Sequence, residues 1–307
     1  MIILIALYLA FRVVNDVVKK KVSNSFSGNG VSGSLFFVLE TSIFAMLVFF
    51  VLNGFKLYVN PRVAFYGFLY GVIVIVAVAS GVFVYNYATI AFVGFASSGV
   101  NLLLSLLLGV VLFSEKVGFG TVFRIVLMLL AALVSFIGAG GFGKGDSVKA
   151  LRGNKFLVGI FFTVIIGVTT SLANVLMKYY GTDPGVTDSN SFFFMTNVFS
   201  GLLVIPMIPF AAKRDGVKFS ELVDYVKGKK ALYAMLTTAS SNLCSVFSIL
   251  ILAMIDVSVF TPLQGALGFV SIAIATPIIR EKLDKYTLIA TALAIASVAV
   301  PELIALI

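Results

Sequence analysis

Histidine is absent from this chain of 307 residues, and cysteine occurs once, as Cys244. These two absences exclude a disulfide framework, zinc sites built from histidine and cysteine, and the Ser-His-Asp and Cys-His arrangements of hydrolases. Charge is also scarce, because 11% of the residues are charged, whereas soluble proteins carry about 25%. With 60% apolar residues, the composition predicts a protein whose main solvent is lipid. It argues against an enzyme and calls for no metal or cofactor.

The chain carries a net charge of +9, from 22 Lys and Arg residues against 13 Asp and Glu residues. The basic residues concentrate in the turns between apolar runs, where phospholipid head groups would meet them. We therefore expect membrane lipid, and not nucleic acid, to be the partner of this charge. Lys19, Lys20 and Lys21 follow the first apolar run and no basic residue precedes it, which argues against a signal peptide.

Long apolar runs divide the sequence, and each is close to the roughly 20 residues that a membrane-spanning helix needs. Ten such runs predict helices at 2–18, 35–52, 63–85, 93–113, 121–138, 156–177, 191–210, 231–252, 259–279 and 288–304. Two of the intervening segments are longer than the others. Segment 139–155 is rich in Gly and Lys, and the basic segment 211–230 has the apolar spacing of an amphipathic interfacial helix.

The second half of the chain repeats landmarks of the first half. Four pairs of residues share one common offset: Ser105 with Ser271, Glu115 with Glu281, Lys116 with Lys282, and Thr121 with Thr287. Asn15 and Lys19 of the first helix have the same Asn-x-x-x-Lys spacing as Asn174 and Lys178 of the sixth. The spacing therefore indicates an internal repeat of five helices.

Because each repeat holds an odd number of helices, the second repeat must run inverted relative to the first. The predicted fold is an all-α polytopic membrane protein of ten transmembrane helices, arranged as two inverted five-helix repeats. The first repeat covers 1–138, the linker covers 139–155, and the second repeat covers 156–307.

Three turns carry the resemblance of this chain to a known family. They are Tyr85-Asn86-Tyr87-Ala88-Thr89 after the third helix, Ser114-Glu115-Lys116 after the fourth, and Arg280-Glu281-Lys282-Leu283 after the ninth. Together with the ten-helix repeat, they resemble the drug/metabolite transporter superfamily, and most closely its EamA-type permeases. The resemblance implies a secondary active transporter, expected to export a small polar metabolite or amino-acid-like solute. It also implies a multi-pass protein of the bacterial cytoplasmic membrane that works by alternating access.

The orientation in the membrane has two conflicting predictions. Most Lys and Arg residues fall in the loops after the first, fifth, seventh and ninth helices, so the positive-inside rule places both termini outside. The resemblance implies that both termini lie in the cytoplasm, and we follow it.

The first helix carries polar side chains at spacings that place them on one face. They are Tyr8, Arg12, Asn15, Asp16 and Lys19. Charges inside a bilayer are costly, so this face is expected to look into the bundle, with Arg12 available to a carboxylate or phosphate. The alternative is an Arg12–Asp16 ion pair that neutralises itself. Lys19 is interpreted as an anchor that reaches the head groups.

Glu40 lies within the second helix, between the apolar stretches 36–39 and 43–46. Apolar surroundings favour the protonated form of a carboxyl group, so Glu40 is the candidate proton-coupling residue of an exporter. A structural pair with Arg12 is the alternative, and it would remove that role. The matching position in the second half is Asn197, which cannot titrate.

Primary amides and hydroxyls recur within the apolar helices, where each needs a polar partner. We expect several of them to line a central cavity together with the first helix. The predicted substrate-binding residues are Arg12, Asn15, Asp16, Asn86, Ser98, Asn101, Asn174, Asn197, Asn242 and Gln264. The eighth helix also has a hydroxyl-rich face, which fits either a hydroxyl-lined wall or helix packing, and packing is the favoured interpretation for most of its residues. Its residues are Thr237, Ser241, Cys244, Ser245 and Ser248.

Two motifs leave alternatives open. Gly67-x-x-x-Gly71 fits close packing either inside the bundle or at a homodimer face. Pro206, Pro209 and Pro262 fit either a hinge for alternating access or static kinks.

Two other functions share parts of this pattern. A transporter of nucleotide-linked or lipid-linked sugars would have the same fold, but it needs several cations for phosphates, and only Arg12 and Lys178 qualify. A membrane-embedded enzyme could use Asp16 and Glu40, although the absence of histidine argues against it. The phosphate-binding pattern G-x-x-x-x-G-K-[ST] does not occur in the sequence, so direct ATP coupling has no support.

Overall fold

The computed structural model describes residues 2–25, 30–84, 88, 90–114, 118–138, 154–183, 185, 188–223, 227–252, 254, 257–281, 283 and 285–305. Every regular element within these ranges is an α-helix. The helices are α1 (Ile2–Ser25), α2 (Gly30–Leu52), α3 (Pro61–Val84), α4 (Ile90–Phe113), α5 (Phe119–Gly138), α6 (Asn154–Thr182), α7 (Ser189–Asp215), α8 (Phe219–Val223), α9 (Lys229–Leu252), α10 (Val257–Ile278) and α11 (Lys285–Ala305). The predicted all-α class is confirmed.

Seven helices in the described ranges contain a stretch long and apolar enough to cross a membrane, namely α2, α3, α4, α6, α7, α9 and α10. Shorter apolar stretches occupy α5 and α11, at Phe119–Ser135 and Lys285–Pro301. The remaining long helix, α1, carries Arg12, Asp16 and Lys19 within its length. This architecture is compatible with an integral, multi-pass membrane protein.

The ends of α7 follow from local chemistry. Asp188 caps its start, because the carboxylate accepts hydrogen bonds from two backbone N–H groups of the first turn, which lack partners inside the helix. Gly216 ends it with a φ of 69°, a left-handed conformation that strains other residues. Pro206 and Pro209 lie inside α7, which continues across both.

Pairs of long helices hold the bundle together. α2 packs against α7, α5 against α11, and α4 against α10, whereas α1 contacts α9 and α10, and α6 contacts α3 and α4. One apolar cluster, which includes Phe37 and Val204, joins α1, α2, α3, α7 and α9. Another, which includes Met128 and Phe269, joins α4, α5, α10 and α11. Both clusters combine helices from the two halves of the sequence, so the halves share one core.

The Gly67-x-x-x-Gly71 motif brings α3 close to α7. A Cβ atom on Gly67 would lie 2.9 Å from Cβ of Met195, and one on Gly71 would lie 3.0 Å from the carbonyl oxygen of Thr196. The motif therefore packs inside the bundle and does not offer a homodimer face.

The segment predicted to form an interfacial helix contains the short helix α8, and its position at a membrane surface stays a prediction. Leu222 is fully buried and belongs to the apolar cluster of Phe37, whereas Glu221 and Val223 are exposed. Residues 224–226 of this segment lie outside the described residues.

Candidate functional site

A cavity of about 250 Å³ lies between the two halves of the chain. Its walls come from α1, α3 and α4 of the first half and from α6, α7, α9 and α10 of the second. Arg12 and Ser241 line it, and they stand near the middle of α1 and α9. The cavity therefore lies at mid-depth in the bundle.

The polar face of α1 lines this cavity along its length. Tyr8, Arg12, Asn15, Asp16 and Lys19 all contribute to the wall. Arg12 also pairs with Asp16, because Nε of Arg12 lies 3.5 Å from Oδ2 of Asp16, and its guanidinium donates a hydrogen bond to the Tyr8 hydroxyl at 3.4 Å. The two interpretations of this face, a cavity wall and an internal ion pair, both hold.

Asp16 gains a second partner from the other half of the chain. The hydroxyl of Ser271, on α10, donates a hydrogen bond to Oδ2 of Asp16 at 2.7 Å. Asp16 is 7% exposed, so this bond and the guanidinium offset the cost of holding a carboxylate away from water.

Lys19 differs from its predicted role as an interface anchor. Its side chain lines the cavity and lies within electrostatic range of Asp16 and Arg12. Residues three or four positions apart lie on the same face of a helix, so Lys19, three residues after Asp16, shares the face of α1 that points into the bundle. The interface interpretation was wrong because it considered only the distance of Lys19 from the helix end.

Amide side chains from four helices complete the polar wall. Asn174 of α6 donates a hydrogen bond to Oε1 of Gln264 on α10, at 2.9 Å. Asn197 donates to the backbone carbonyl of Phe193 at 2.7 Å. The predicted site residues that the structure brings to the cavity are Arg12, Asn15, Asp16, Asn174, Asn197, Asn242 and Gln264.

Ser98 and Asn101 do not line the cavity. Asn101 is 5% exposed and accepts a hydrogen bond from Ser105, whose hydroxyl lies 2.7 Å from that of Ser171 on α6. Ser97 lines the cavity instead of Ser98, since neighbouring residues on a helix point about 100° apart. Asn86 lies outside the described residues.

Glu40 is buried at 5% exposure, and it lies away from the cavity, because α2 contributes no residue to the wall. Its helix packs on α7 near Gly201, which faces Leu39 and Ser42. Within the described ranges Oε1 of Glu40 is buried without a hydrogen-bond partner. A coupling role for Glu40 stays a prediction, and it would have to act through the α2–α7 contact.

Hydroxyl groups form a part of the wall that sequence reasoning assigned to packing. Ser241, Ser245 and Ser248 line the cavity, as does Cys244. The hydroxyls of Ser245 and Ser248 also donate to carbonyls of their own helix, four residues back. The regular spacing of these residues on α9 was the sequence signal that could have placed them in the wall. Tyr70 of α3 also lines the cavity, but no sequence pattern indicated it.

Polar contacts join the two halves at one end of the bundle. The guanidinium of Arg62 lies 2.8 Å from Oδ1 of Asp183, and Asn60 donates to the carbonyl of Gly185 at 3.0 Å. The pKa of Asp183 lies below its ordinary value, because the backbone N–H of Gly185 donates to its carboxylate and Arg62 adds a positive charge.

A second set of contacts joins the halves at the opposite end. The backbone N–H of Ser32 donates to Oδ2 of Asp215 at 2.8 Å, and Nζ of Lys20 lies 3.4 Å from Oε1 of Glu281. The cavity therefore lies between two sets of polar contacts that join the halves, one at each end of the helices.

Comparison with known proteins identifies the fold without identifying a family. No family model and no curated protein sequence matches the chain, whereas 28 chains of solved structures do. One of these, described as "Crystal structure of protein", shares 15% sequence identity and covers 97% of this chain and 96% of its own length, at a TM-score of 0.61. This likeness concerns the fold alone.

Proposed function

We propose that this chain is a secondary active transporter, an exporter of a small polar metabolite or amino-acid-like solute in the bacterial cytoplasmic membrane. It would consist of ten transmembrane helices in two inverted repeats, like the EamA-type permeases of the drug/metabolite transporter superfamily. The observation that carries the proposal is the polar cavity at mid-depth, with walls from both halves of the chain. Transporters built from inverted repeats hold their substrate in such a place.

The packing of the helices supports an inverted repeat. If α1 to α5 correspond to α6, α7, α9, α10 and α11, the contact of α1 with α9 corresponds to that of α6 with α3. The contact of α1 with α10 likewise corresponds to that of α6 with α4. The pairs α2–α7, α4–α10 and α5–α11 each correspond to themselves, and all of these contacts occur. A two-fold axis in the membrane plane would produce this set.

The helix ends offer further support. Ser114 and Arg280, which match at the offset of Ser105 and Ser271, both have left-handed backbone conformations, with φ of 54° and 62°. Such a conformation is uncommon for residues other than glycine. Its recurrence at matched positions favours a duplicated turn.

Alternating access would use the polar contacts at the two ends of the cavity. Opening one end requires the Arg62–Asp183 contact to part, and opening the other requires the Lys20–Glu281 contact to part. Both contacts lie near helix ends, where each is weak enough to exchange with water. A rocking motion of the two repeats would break them in turn.

The competing functions fit the cavity less well. A nucleotide-linked sugar fits poorly in a cavity of about 250 Å³, because this volume lies below the range of about 300–1,000 Å³ that is typical of pockets for drug-sized ligands. Lys178, one of its two candidate phosphate ligands, lies over the ring of Phe113 and not in the cavity. An enzyme with paired carboxylates needs Asp16 and Glu40 together, and only Asp16 lines the cavity.

The proposal is tested by solute uptake into proteoliposomes, with and without a pH gradient. We expect the wild type and the exposed control Glu221→Gln to accumulate solute when the gradient is imposed. Glu40→Gln is expected to lose gradient-driven accumulation while keeping solute exchange, because an amide cannot carry the proton. Full gradient-driven uptake by Glu40→Gln would contradict the coupling role, and flux no greater than in empty liposomes for any solute would contradict transport itself.

A further inference from the structure

We infer that the cavity is an anion site, and that the transported solute is a small monocarboxylate held by Arg12 and Lys19. This assignment of substrate class rests on the proposed function, because it treats the cavity as the place where the solute binds. It narrows the earlier description, which allowed neutral and zwitterionic solutes.

The charges on the wall are unequal. Among the described residues that line the cavity, Arg12 and Lys19 are basic and only Asp16 is acidic. Asp16 is already matched by the guanidinium of Arg12 at 3.5 Å and by the Ser271 hydroxyl at 2.7 Å. Lys19, in contrast, makes no hydrogen bond or ion pair with any residue in the described ranges.

Lys19 shares the single acidic group Asp16 with Arg12, and a surplus cation in a membrane bundle is costly because the surroundings screen charge poorly. A counter-ion on the solute removes this cost. A solute with one negative charge brings the wall and its ligand to neutrality. A cationic solute would add to the excess of positive charge, and a dianion would leave an excess of negative charge. A zwitterion would leave Lys19 uncompensated, so the charge balance favours a monoanion.

The geometry of α1 places the two cations on either side of the acid. Arg12 precedes Asp16 by four residues and Lys19 follows it by three, which keeps all three side chains on one helix face. A solute carboxylate that binds between Lys19 and Arg12 takes the place of Asp16 as the anionic partner of the guanidinium, which now lies 3.5 Å from Asp16. Asp16 remains held by Ser271, and it acts as the internal anion that occupies Arg12 in the absence of solute.

The cavity wall also contains amide oxygens that could accept hydrogen bonds from donors on the same solute. Oδ1 of Asn15 and Oδ1 of Asn174 are buried without a hydrogen-bond partner among the described residues, and both side chains line the cavity. Buried amide oxygens are costly when unsatisfied, and a hydroxyl or amide N–H on the solute would satisfy them. The best match is a hydroxy acid or an N-acylated amino acid.

The size of the cavity agrees with a solute of this kind. Its volume of about 250 Å³ lies just below the range of about 300–1,000 Å³ that is typical of pockets for drug-sized ligands. A carboxylic acid with a short hydroxylated or acylated chain fits this space, and side chains such as Tyr70 and Phe193 supply an apolar wall for its carbon atoms.

The single cysteine offers a test that needs no knowledge of the natural solute. Cys244 lines the cavity and lies within electrostatic range of Arg12, Asp16 and Lys19. The purified full chain would be treated with two methanethiosulfonates of similar size, the anionic sulfonatoethyl reagent and the cationic trimethylammonioethyl reagent. Each rate is divided by the rate of the same reagent with free mercaptoethanol, which removes the intrinsic difference in reactivity.

We expect the normalised rate to favour the anionic reagent. Lys19→Gln is expected to reduce this preference about tenfold, because it removes one nearby positive charge, while Lys19→Arg keeps it. The matched control is Lys213→Gln, which makes the same change at an exposed position of α7. A preference for the cationic reagent, or an unchanged preference in Lys19→Gln, would overturn the inference. Cys244 that reacts only after unfolding would overturn it as well.

Solute protection and flux separate this inference from the proposed function. Lactate is expected to slow the modification of Cys244 at concentrations where its neutral analogue lactamide does not, and protection by lactamide alone would overturn the anion site. If proteoliposomes transport neutral solutes and Lys19→Gln does not change that flux, the anion site would also be overturned, although the transport function would stand. A clear anion preference without any solute flux would instead contradict transport and support the site.

Discussion

Matched serines make the two halves of the chain chemically unequal. Ser271 donates its hydroxyl to the carboxylate of Asp16 across the α10–α1 contact. Ser105, at the matching position, shares a hydrogen bond with the neutral hydroxyl of Ser171 across the α4–α6 contact, at 2.7 Å. The same type of residue therefore supports a charge in one half and only neutral hydrogen bonds in the other, to Ser171 and Asn101, which puts the charged chemistry of the cavity on the α1 side.

This difference predicts unequal effects of two identical substitutions. Ser271→Ala should lower the free energy of unfolding by about 1.5–3 kcal/mol, because it removes a hydrogen bond to a charged group. Ser105→Ala should cost less, about 0.6 kcal/mol for each of its two neutral hydrogen bonds, as is typical of such bonds in membrane bundles. Unfolding of both variants by titration with SDS measures the difference, and equal losses would contradict the assignment of charge to Asp16.

Single residues also show how far the sequence could lead. Asn174, Asn197 and Gln264 could be predicted to face a cavity, because a primary amide in an apolar helix needs a partner. Ser98 could not be distinguished from Ser97, since the rotation of α4 depends on its contacts with α6 and α10. The direction of the Lys19 side chain likewise depends on the packing of α1. Its position near the end of the predicted helix therefore led to a wrong location at the membrane interface.

Among the helices, α3 and α7 make an unusually close contact at two glycines. A Cβ atom on Gly71 would lie 3.0 Å from the carbonyl oxygen of Thr196 and 3.3 Å from the backbone nitrogen of Ser200. Backbone atoms cannot rotate away as a side chain can. Gly81, on the same helix, has no neighbouring atom within 4 Å of its Cβ position.

Two alanine substitutions on α3 therefore have opposite expected outcomes. Gly71→Ala should destabilise the bundle by about 1–3 kcal/mol through overpacking. Gly81→Ala should leave stability unchanged or raise it by up to about 1 kcal/mol, because alanine loses less backbone entropy in a helix. Unfolding in mixed micelles compares them, and an equal effect would argue against tight α3–α7 packing.

The connection between α6 and α7 predicts a pH dependence of stability. A carboxylate whose pKa is lowered in the folded protein stabilises that state above the unfolded value, about 3.9. The stabilisation is lost as the pH falls through the lower folded value. Asp183 is such a group, because Gly185 and Arg62 hold its ionised form.

Asp183→Asn should accordingly lower the melting temperature at neutral pH. Its difference from the wild type should begin to shrink as the pH falls below about 4. It should vanish only below the lowered pKa of folded Asp183, where both side chains are uncharged. Thermal unfolding in detergent across this range provides the measurement. A difference that stays constant as the pH falls would show that the charge of Asp183 does not hold this end of the bundle together.

For the whole molecule, the positions of the helices could be predicted from the sequence, but the residues that line the cavity could be predicted only in part. Apolar runs locate helices because a chain segment in lipid must satisfy its own backbone hydrogen bonds, as a helix does. All ten predicted runs coincide with long helices. Which helices surround the cavity depends on long-range contacts, so the exclusion of α2, and with it Glu40, had no signal in the spacing. The duplicated landmarks match α1 to α6 and α4 to α10, and the contacts of α1 with α10 and of α6 with α4 agree with this correspondence.

Alternating access at the central cavity is tested most directly by the sidedness of Cys244 modification. The wild-type chain, reconstituted in both orientations, would receive the membrane-impermeant sulfonatoethyl reagent from outside, with free cysteine trapped inside to quench any leak. Protease removal of a C-terminal tag measures the fraction of each orientation. If the cavity opens to each side in turn, modification of Cys244 should approach completion in both orientations. Modification that stops at the fraction of one orientation would show a cavity with a single mouth and would contradict alternating access.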